Sequence, residues 1–301
     1  MAHPIPRQGT PTDALTDLDA KYERLRRRVA ELGSVVVAFS GGADSMLLLK
    51  VAVDTLGADN VLAVTAGSPS IPSLELRQTG ELAGWLGVEH MVVATAEFQD
   101  EQYLSNPTNR CYFCKTALYD ALKTIADERE MAAVVNGANV DDLGDYRPGL
   151  TAAREQDAQA PMADAGLTKA DVRALSDRLG LPTAHKPASP CLSSRVPYGE
   201  RITTEKLRMI EAGETILRKL GIELCRVRHH DTVARIEVPP ECFARLTQAD
   251  VAGRLDDAFR AIGFQYVTLD LRGFRSGSLN EVVPLSVLGP KVESRKSKVE
   301  D

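Results

Sequence analysis

Val35-Val36-Val37-Ala38-Phe39-Ser40-Gly41-Gly42-Ala43-Asp44-Ser45-Met46-Leu47-Leu48-Leu49 is the stretch whose reading decides the fold. Val35 to Phe39 is a short apolar run with β-branched content, the pattern of a parallel strand buried on both faces. From Met46 to Ala52 the residues favour helix, so Ser40–Ser45 reads as a Gly-rich turn between a strand and a helix start. That order aims backbone N–H groups and the positive end of a helix dipole at an anion. Gly41 and Gly42 let the backbone approach closely, and Ser40, Asp44 and Ser45 add side-chain contacts near the helix N-terminus. An ordinary N-capped turn is the plain alternative. The surrounding pattern favours phosphate.

Outward from this loop, strands are predicted at 35–39, 61–65, 88–94 and 132–136, with helices at 45–56, 72–86 and 112–129 and another near 169–179. This rhythm predicts an α/β fold with a doubly wound parallel sheet, where ligands bind outside the carboxyl ends of the strands. A stretch with four prolines, Leu181 to Gly199, has little periodicity and reads as a functional loop. From Thr203 the pattern changes to a helix (204–219), alternating runs at 223–228 and 233–238, a helix at 248–262 and a strand at 265–271, a smaller α+β domain. The expected division is a flexible lead over 1–16, the nucleotide domain over 17–200, the α+β domain over 201–290 for substrate binding and oligomerisation, and a charged, disordered tail over 291–301.

The chain has 301 residues, enough for two cored domains, and its 44% apolar and 26% charged content describe a soluble globular protein. No run approaches the ~20 apolar residues of a membrane span, and Met1 to Thr16 has no apolar signal region, so a cytoplasmic protein is expected. A net charge of −6 argues against a broad nucleic-acid footprint. Five cysteines without a secretion signal point to thiols or metal ligands rather than a disulfide framework.

Cys111-Tyr112-Phe113-Cys114 is a CxxC at a helix start, where the dipole and Arg110 are expected to lower thiol pKa values. Alone it leaves redox, zinc and iron–sulfur roles open. Cys191 lies in the polar, proline-rich loop. Three cysteines can hold three irons of a cubane cluster and leave the fourth open to an exogenous sulfide. Small buried hydrophobes are the alternative, favoured for Cys225 and Cys242. The segment from Asn136 through Gly137, Asp141 and Asp142 to Arg147 follows a strand, so it lies at the phosphate-loop edge. Its acids suit Mg²⁺ on nucleotide phosphates and Arg147 a phosphate contact; an Asx-rich solvated turn is the other reading. Arg226 and Arg228 share one face of a strand, two guanidinium forks suited to a phosphate or carboxylate, or to surface ion pairs. His229 and His230, adjacent on that strand, point to opposite faces and form no metal pair.

Together these segments resemble a known family. Ser40–Ser45 matches the SGGxDS signature of the PP-loop ATP pyrophosphatases, which cleave ATP to AMP and pyrophosphate while adenylating a substrate. NPTNRCYFCK (106–115), NGANVDDLGDYRPG (136–149), PASPCLSSRVPYGERIT (187–203) and the Arg226–Val238 segment look like its LarE branch, the ATP-dependent sulfur transferases of nickel-pincer nucleotide synthesis. The resemblance spans roughly residues 15 to 290. It implies adenylation of pyridinium-3,5-biscarboxylic acid mononucleotide and replacement of AMP by sulfur, twice, to give the bisthiocarboxylate. By position it implies Ser40, Gly41, Gly42, Asp44 and Ser45 on pyrophosphate, with Asp44 also near the metal or the adenylation step. Ser194 and Arg195 would flank the reacting centre; Glu214, Arg226 and Arg228 would hold the substrate nucleotide, and Glu237 is a lesser metal candidate. In one form of the family the cysteine at the Cys191 position is sacrificed to dehydroalanine. In the other, three cysteines bind a [4Fe-4S] cluster. The presence of Cys111, Cys114 and Cys191 together favours the cluster form, with ATP, Mg²⁺ and the cluster as cofactors. A hexameric homo-oligomer and partners among other cofactor-biosynthesis proteins are further implications, with no nucleic acid and no membrane.

The rival readings are a PP-loop tRNA thiolase, disfavoured by the acidic balance, and a non-catalytic ATP- or metal-binding regulator. An amidotransferase-type synthase for NAD or GMP has no use for three cysteines.

Overall fold

The computed structural model describes residues 11–143 and 148–275. Arg147, the expected tail over 291–301 and residues 1–10 of the expected lead lie outside them. The first helix, α1 (Pro11–Ala30), begins within the stretch 1–16 expected as a flexible lead. Then follow β1 (Val35–Ala38), α2 (Ala43–Leu56), β2 (Val61–Ala66), α3 (Ser73–Leu86) and β3 (Glu89–Val93). The short α4 (Glu101–Leu104) precedes α5 (Arg110–Glu128) and β4 (Ala133–Val135). Four more helices complete this part: α6 (Val140–Leu143), α7 (Pro148–Glu155), α8 (Pro161–Asp164) and α9 (Lys169–Arg178).

The four strands form one parallel sheet in the order β3-β2-β1-β4. Helices cover both faces, as a parallel sheet requires. Alternate valines of β1 serve opposite cores: Val35 and Val37 pack with Leu25, Met46 and Leu49, while Val36 packs with Leu118 and Leu122 of α5. β1 and β4 are neighbours, and the loops that follow them leave the sheet at the same edge, where the binding crevice of such folds lies.

The second sheet, β5 (Arg226–His230), β6 (Val233–Glu237) and β7 (Tyr266–Leu269), pairs antiparallel and then parallel. The helix α10 (Thr204–Lys219) leads into it, and α11 (Phe243–Leu246) and α12 (Ala249–Ala261) bridge β6 to β7. Its core joins Leu217, Val227, Ile236, Leu255 and Phe259, with Cys225 wholly buried and Cys242 packed at its side. Both cysteines are hydrophobic fillers, as expected.

Candidate active site at the edge of the parallel sheet

The loop Ser40–Ser45 joins β1 to the N-terminus of α2, and its fold is written in its glycines. Gly41 has φ +68°, a left-handed conformation that side chains disfavour, and Gly42 is the residue capping α2. The Ser40 amide donates to Ser45 Oγ (3.3 Å), and Ser45 Oγ donates to the Gly42 carbonyl (3.2 Å), which ties the loop across its mouth. Gly137, on the loop after β4, comes so close that a Cβ there would stand 2.9 Å from the Ser45 amide nitrogen. The two loops therefore meet at the crevice.

Asn139 donates to Asp44 Oδ1 (3.1 Å), and Lys169 forms an ion pair with Asp44 Oδ2. Lys169 is the first residue of α9, set there by a capping box between Thr168 and Asp171; its own amide donates to Asp141 Oδ2 (2.8 Å). The Asp142 carboxylate accepts from the Asn139 amide, and Asn139 Oδ1 from the Asp141 amide. The acids of this segment thus hold their own turn, the Asx-rich geometry of the alternative reading, while Asp141 also touches the lysine that meets Asp44. On the other side of the loop, Lys186 donates to the Gly41 carbonyl (3.2 Å).

The CxxC and Cys191 segments, some eighty positions apart, are stitched together. Asn106, fully buried with φ +54°, donates to the carbonyls of Val196 and Pro197 and accepts from Arg110. Tyr103 Oη lies 2.7 Å from Ser193 Oγ, and the Ile202 amide donates to the Leu104 carbonyl. Tyr103, Leu192, Val196 and Ile202 form a small core against which Phe113 and Cys114 pack. Cys191 accordingly lies close enough to raise the pKa of both Cys111 and Cys114. The expected lowering of the CxxC thiols is reversed: burial, reinforced by Cys191, pushes Cys111 up, and burial pushes Cys114 up to about 12 despite Lys115. Desolvation outweighs both the helix dipole and Arg110. Among the described residues no three His, Cys, Asp or Glu side chains converge on a single metal ion.

The Leu192 amide donates to the Ser70 carbonyl (2.7 Å), which brings the Cys191 turn to the loop following β2, on the phosphate-loop edge of the sheet. Arg195, 1% exposed, donates through Nη1 to the carbonyls of Pro190 and Cys191 and to Ser194 Oγ, and through Nε to Glu214 of α10 (2.9 Å). Burial alone would raise the Glu214 carboxyl, but Arg195, and behind it Arg226 and Arg218, hold it below the usual range. Arg228 is paired at both nitrogens with Glu237 (3.0 Å each) and reaches the Ser194 carbonyl (2.6 Å). Arg235 also donates to Glu237, so that carboxylate is engaged by guanidinium groups and offers no open coordination face. Arg226 differs. Its guanidinium donates to the Cys225 carbonyl and lies over the Phe274 ring, and burial with the like charge of Arg195 pushes it down to about 10.

Residues 18–106, the span of the phosphate loop and the first three strands, match the NAD synthase family. The chain is 47% identical over 266 residues to an uncharacterised protein of Synechocystis sp., covering 88% of this chain and 99% of that protein. It is 40% identical over 270 residues to the pyridinium-3,5-bisthiocarboxylic acid mononucleotide synthase of Lactiplantibacillus plantarum, covering 89% of this chain and 97% of that enzyme. The chain belongs to the LarE family. Membership makes it an enzyme of the sulfurtransferase kind with a PP-loop nucleotide fold. A match to the argininosuccinate synthase of Halobacterium salinarum, 33% identical over 147 residues, covers only 46% of the chain.

Within this LarE chain, sequence reasoning missed Asn106, Asn139, Lys169, Lys186 and Glu97. The T-x-x-D capping box announces Lys169. Lys186 sits in the aperiodic proline-rich stretch and gives no signal. Glu97 reads as a loop acid, yet it is buried with neither carboxylate oxygen hydrogen-bonded. No helix among the described residues is long and apolar enough to cross a membrane.

Proposed function

We propose that this protein inserts sulfur into pyridinium-3,5-biscarboxylic acid mononucleotide at the expense of ATP, yielding the thiocarboxylates of the nickel-pincer precursor. The observation that carries the reading is the convergence of the CxxC and Cys191 segments at the sheet edge that presents Ser40–Ser45. A carboxylate is a poor electrophile, and adenylation supplies the leaving group. A substrate carboxylate oxygen attacks the α-phosphorus, the bond to the β-phosphate oxygen breaks, and pyrophosphate leaves into the Ser40–Ser45 loop. A sulfur nucleophile then attacks the acyl carbon, and AMP departs with the electron pair of the C–O bond.

The amides of Gly41 and Gly42 and the Ser40 and Ser45 hydroxyls cradle the pyrophosphate. Asp44 and Asp141, both touching Lys169, are the carboxylates that would hold Mg²⁺ on the phosphates. Arg226, which donates to the Cys225 carbonyl and stands behind Arg195 in the field of Glu214, takes the substrate phosphate. Glu214 and Arg228, engaged in ion pairs, act by holding Arg195 and Ser194 beside the reacting centre.

Cys114 packs on the core that includes Leu192 and Val196, beside the Cys191 turn, and Cys111 lies one turn away at the start of α5; these three thiols would hold three corners of a [4Fe-4S] cluster. When bound, that group supplies sulfide at its open corner. The chain assembles as a homo-oligomer, measurable by light scattering. The test is anaerobic incubation of the iron-loaded protein with ATP and the dicarboxylate. Pyrophosphate, AMP and multiple equivalents of bisthiocarboxylate by mass spectrometry are expected. A colourless protein that turns over once and loses H₂S at Cys191 selects the sacrificial route, and no pyrophosphate release overturns the proposal.

A further inference from the structure

The segment that carries Cys191 is tied to the phosphate loop by one side chain. The Lys186 ammonium donates to the Gly41 carbonyl (3.2 Å), to Glu75 Oε2 (2.6 Å) and to Gln78 Oε1 (3.0 Å) of α3. An ammonium has three protons, and all three are committed. Its side chain is 19% exposed and the Glu75 carboxylate 20%, so the pair is sheltered but not sealed from an arriving ligand.

Five residues further on lies Cys191, within a chain reach of about 18 Å. Pro187, Ala188, Ser189 and Pro190 between them are exposed. Beyond them the chain is fixed again: Leu192 by the Ser70 carbonyl, and the carbonyls of Pro190 and Cys191 by Arg195. Lys186 is therefore the near anchor of a short exposed span whose far end carries the thiol.

A triphosphate entering over Gly41 brings charged acceptors that compete with the neutral carbonyl of Gly41 and the amide oxygen of Gln78 for the same ammonium. Occupancy of the loop thus acts on the anchor. We propose that Lys186 is a positioning residue that couples the two halves of the site, so that ATP bound at Ser40–Ser45 draws in the 187–190 span and shelters the Cys191 thiol until an acyl-adenylate is in place. The device keeps the thiol from other electrophiles by linking its exposure to nucleotide occupancy. It rests on the ATP-dependent sulfur-transfer reading above, but its test does not.

The experiment follows alkylation of Cys191 by iodoacetamide, peptide-mapped, in the full-length chain freed of iron with a chelator. It is run with and without a saturating non-hydrolysable ATP analogue. In the wild-type protein the analogue is expected to slow alkylation at Cys191 by about fivefold or more, the lower range of coupling between linked sites. In Lys186→Met, and in Glu75→Gln, which weakens the anchor while leaving the lysine, that difference is expected to fall below about twofold, with analogue binding retained. Alkylated wild-type protein is also expected to bind the analogue more weakly than the unalkylated protein, and alkylated Lys186→Met to bind it as its unalkylated form does. A wild-type rate indifferent to the analogue overturns the proposal. So does an undiminished difference in Lys186→Met, or the loss of all analogue binding in that variant, which would make Lys186 a nucleotide ligand only. Pyrophosphate release on the dicarboxylate tests the sulfur-transfer reading separately, so either can fail while the other stands.

Discussion

Arg195 and Glu214 form an ion pair in which both side chains are 1% exposed, and it fastens the turn bearing Cys191 to the helix leading into the second sheet. The pair is fully desolvated, so each partner depends on the other for its charge to be tolerated. Replacing Glu214 by Ala leaves Arg195 buried with one carboxylate fewer and is expected to cost about 3–5 kcal/mol. Urea denaturation measures this. Arg195→Lys cannot reproduce the fork that reaches Glu214 and two carbonyls together, and is expected to lower stability and sulfur transfer while leaving ATP affinity intact.

Arg226 and Arg228, two apart on β5, are expected to respond in opposite ways. Arg228→Ala takes the two-pronged partner from the wholly buried Glu237, leaving Arg235 at one oxygen, and is expected to destabilise by several kcal/mol. Arg226→Ala removes a charge that burial and Arg195 already disfavour, and is expected to change stability by less than about 1 kcal/mol. If Arg226 holds the substrate phosphate, the same change raises KM for the dicarboxylate nucleotide about ten- to a hundredfold, the worth of a charged hydrogen bond. Equal KM values for Arg226→Ala and the wild type would contradict that role.

Gly137→Ala places a methyl carbon 2.9 Å from the Ser45 nitrogen and 3.0 Å from the Asp44 carbonyl carbon, both backbone atoms. The helix start that presents the phosphate loop must move, at about 1–3 kcal/mol. Calorimetric titration with an ATP analogue is expected to show weakened binding, with secondary structure by circular dichroism unchanged.

The thiols carry a pH signature. Folding keeps Cys114 protonated up to about 12, whereas the unfolded chain ionises it near the ordinary 9.0. Its contribution to stability is complete below pH 9 and is lost as pH rises from 9 toward 12. Alkylation at Cys114 is expected to be slow at pH 7 and to climb about tenfold per unit through pH 10. Iron loading needs the thiolate, so it is expected to release protons and to tighten with rising pH. A pH-independent alkylation rate at Cys114 contradicts this reading.

The strand-and-helix order was legible because each element carries a local pattern. Val35–Phe39 and Val61–Thr65 are apolar runs of strand length, and α5 and α10 begin and end within two residues of their expected bounds. The phosphate loop was legible for the same reason, since strand, glycine turn and helix follow one another in the chain. What misled was electrostatics: Cys114 sits at a helix start beside a lysine, and periodicity gives no measure of the core formed there by Tyr103, Leu192 and Phe113. Likewise Glu214 and Glu237 read as available acids, although both are spent on buried arginines.

Local pattern alone was enough for the parallel α/β frame and the Ser40–Ser45 loop, because these depend on neighbours within a few residues. The tertiary structure alone decided that Asn106 stitches the CxxC segment to the Cys191 loop, that Lys186 reaches Gly41 and that Arg228 reaches the Ser194 carbonyl. Those relations join residues tens to more than a hundred positions apart. They follow from which groups folding removes from water and which partners it leaves them, and no local pattern encodes that.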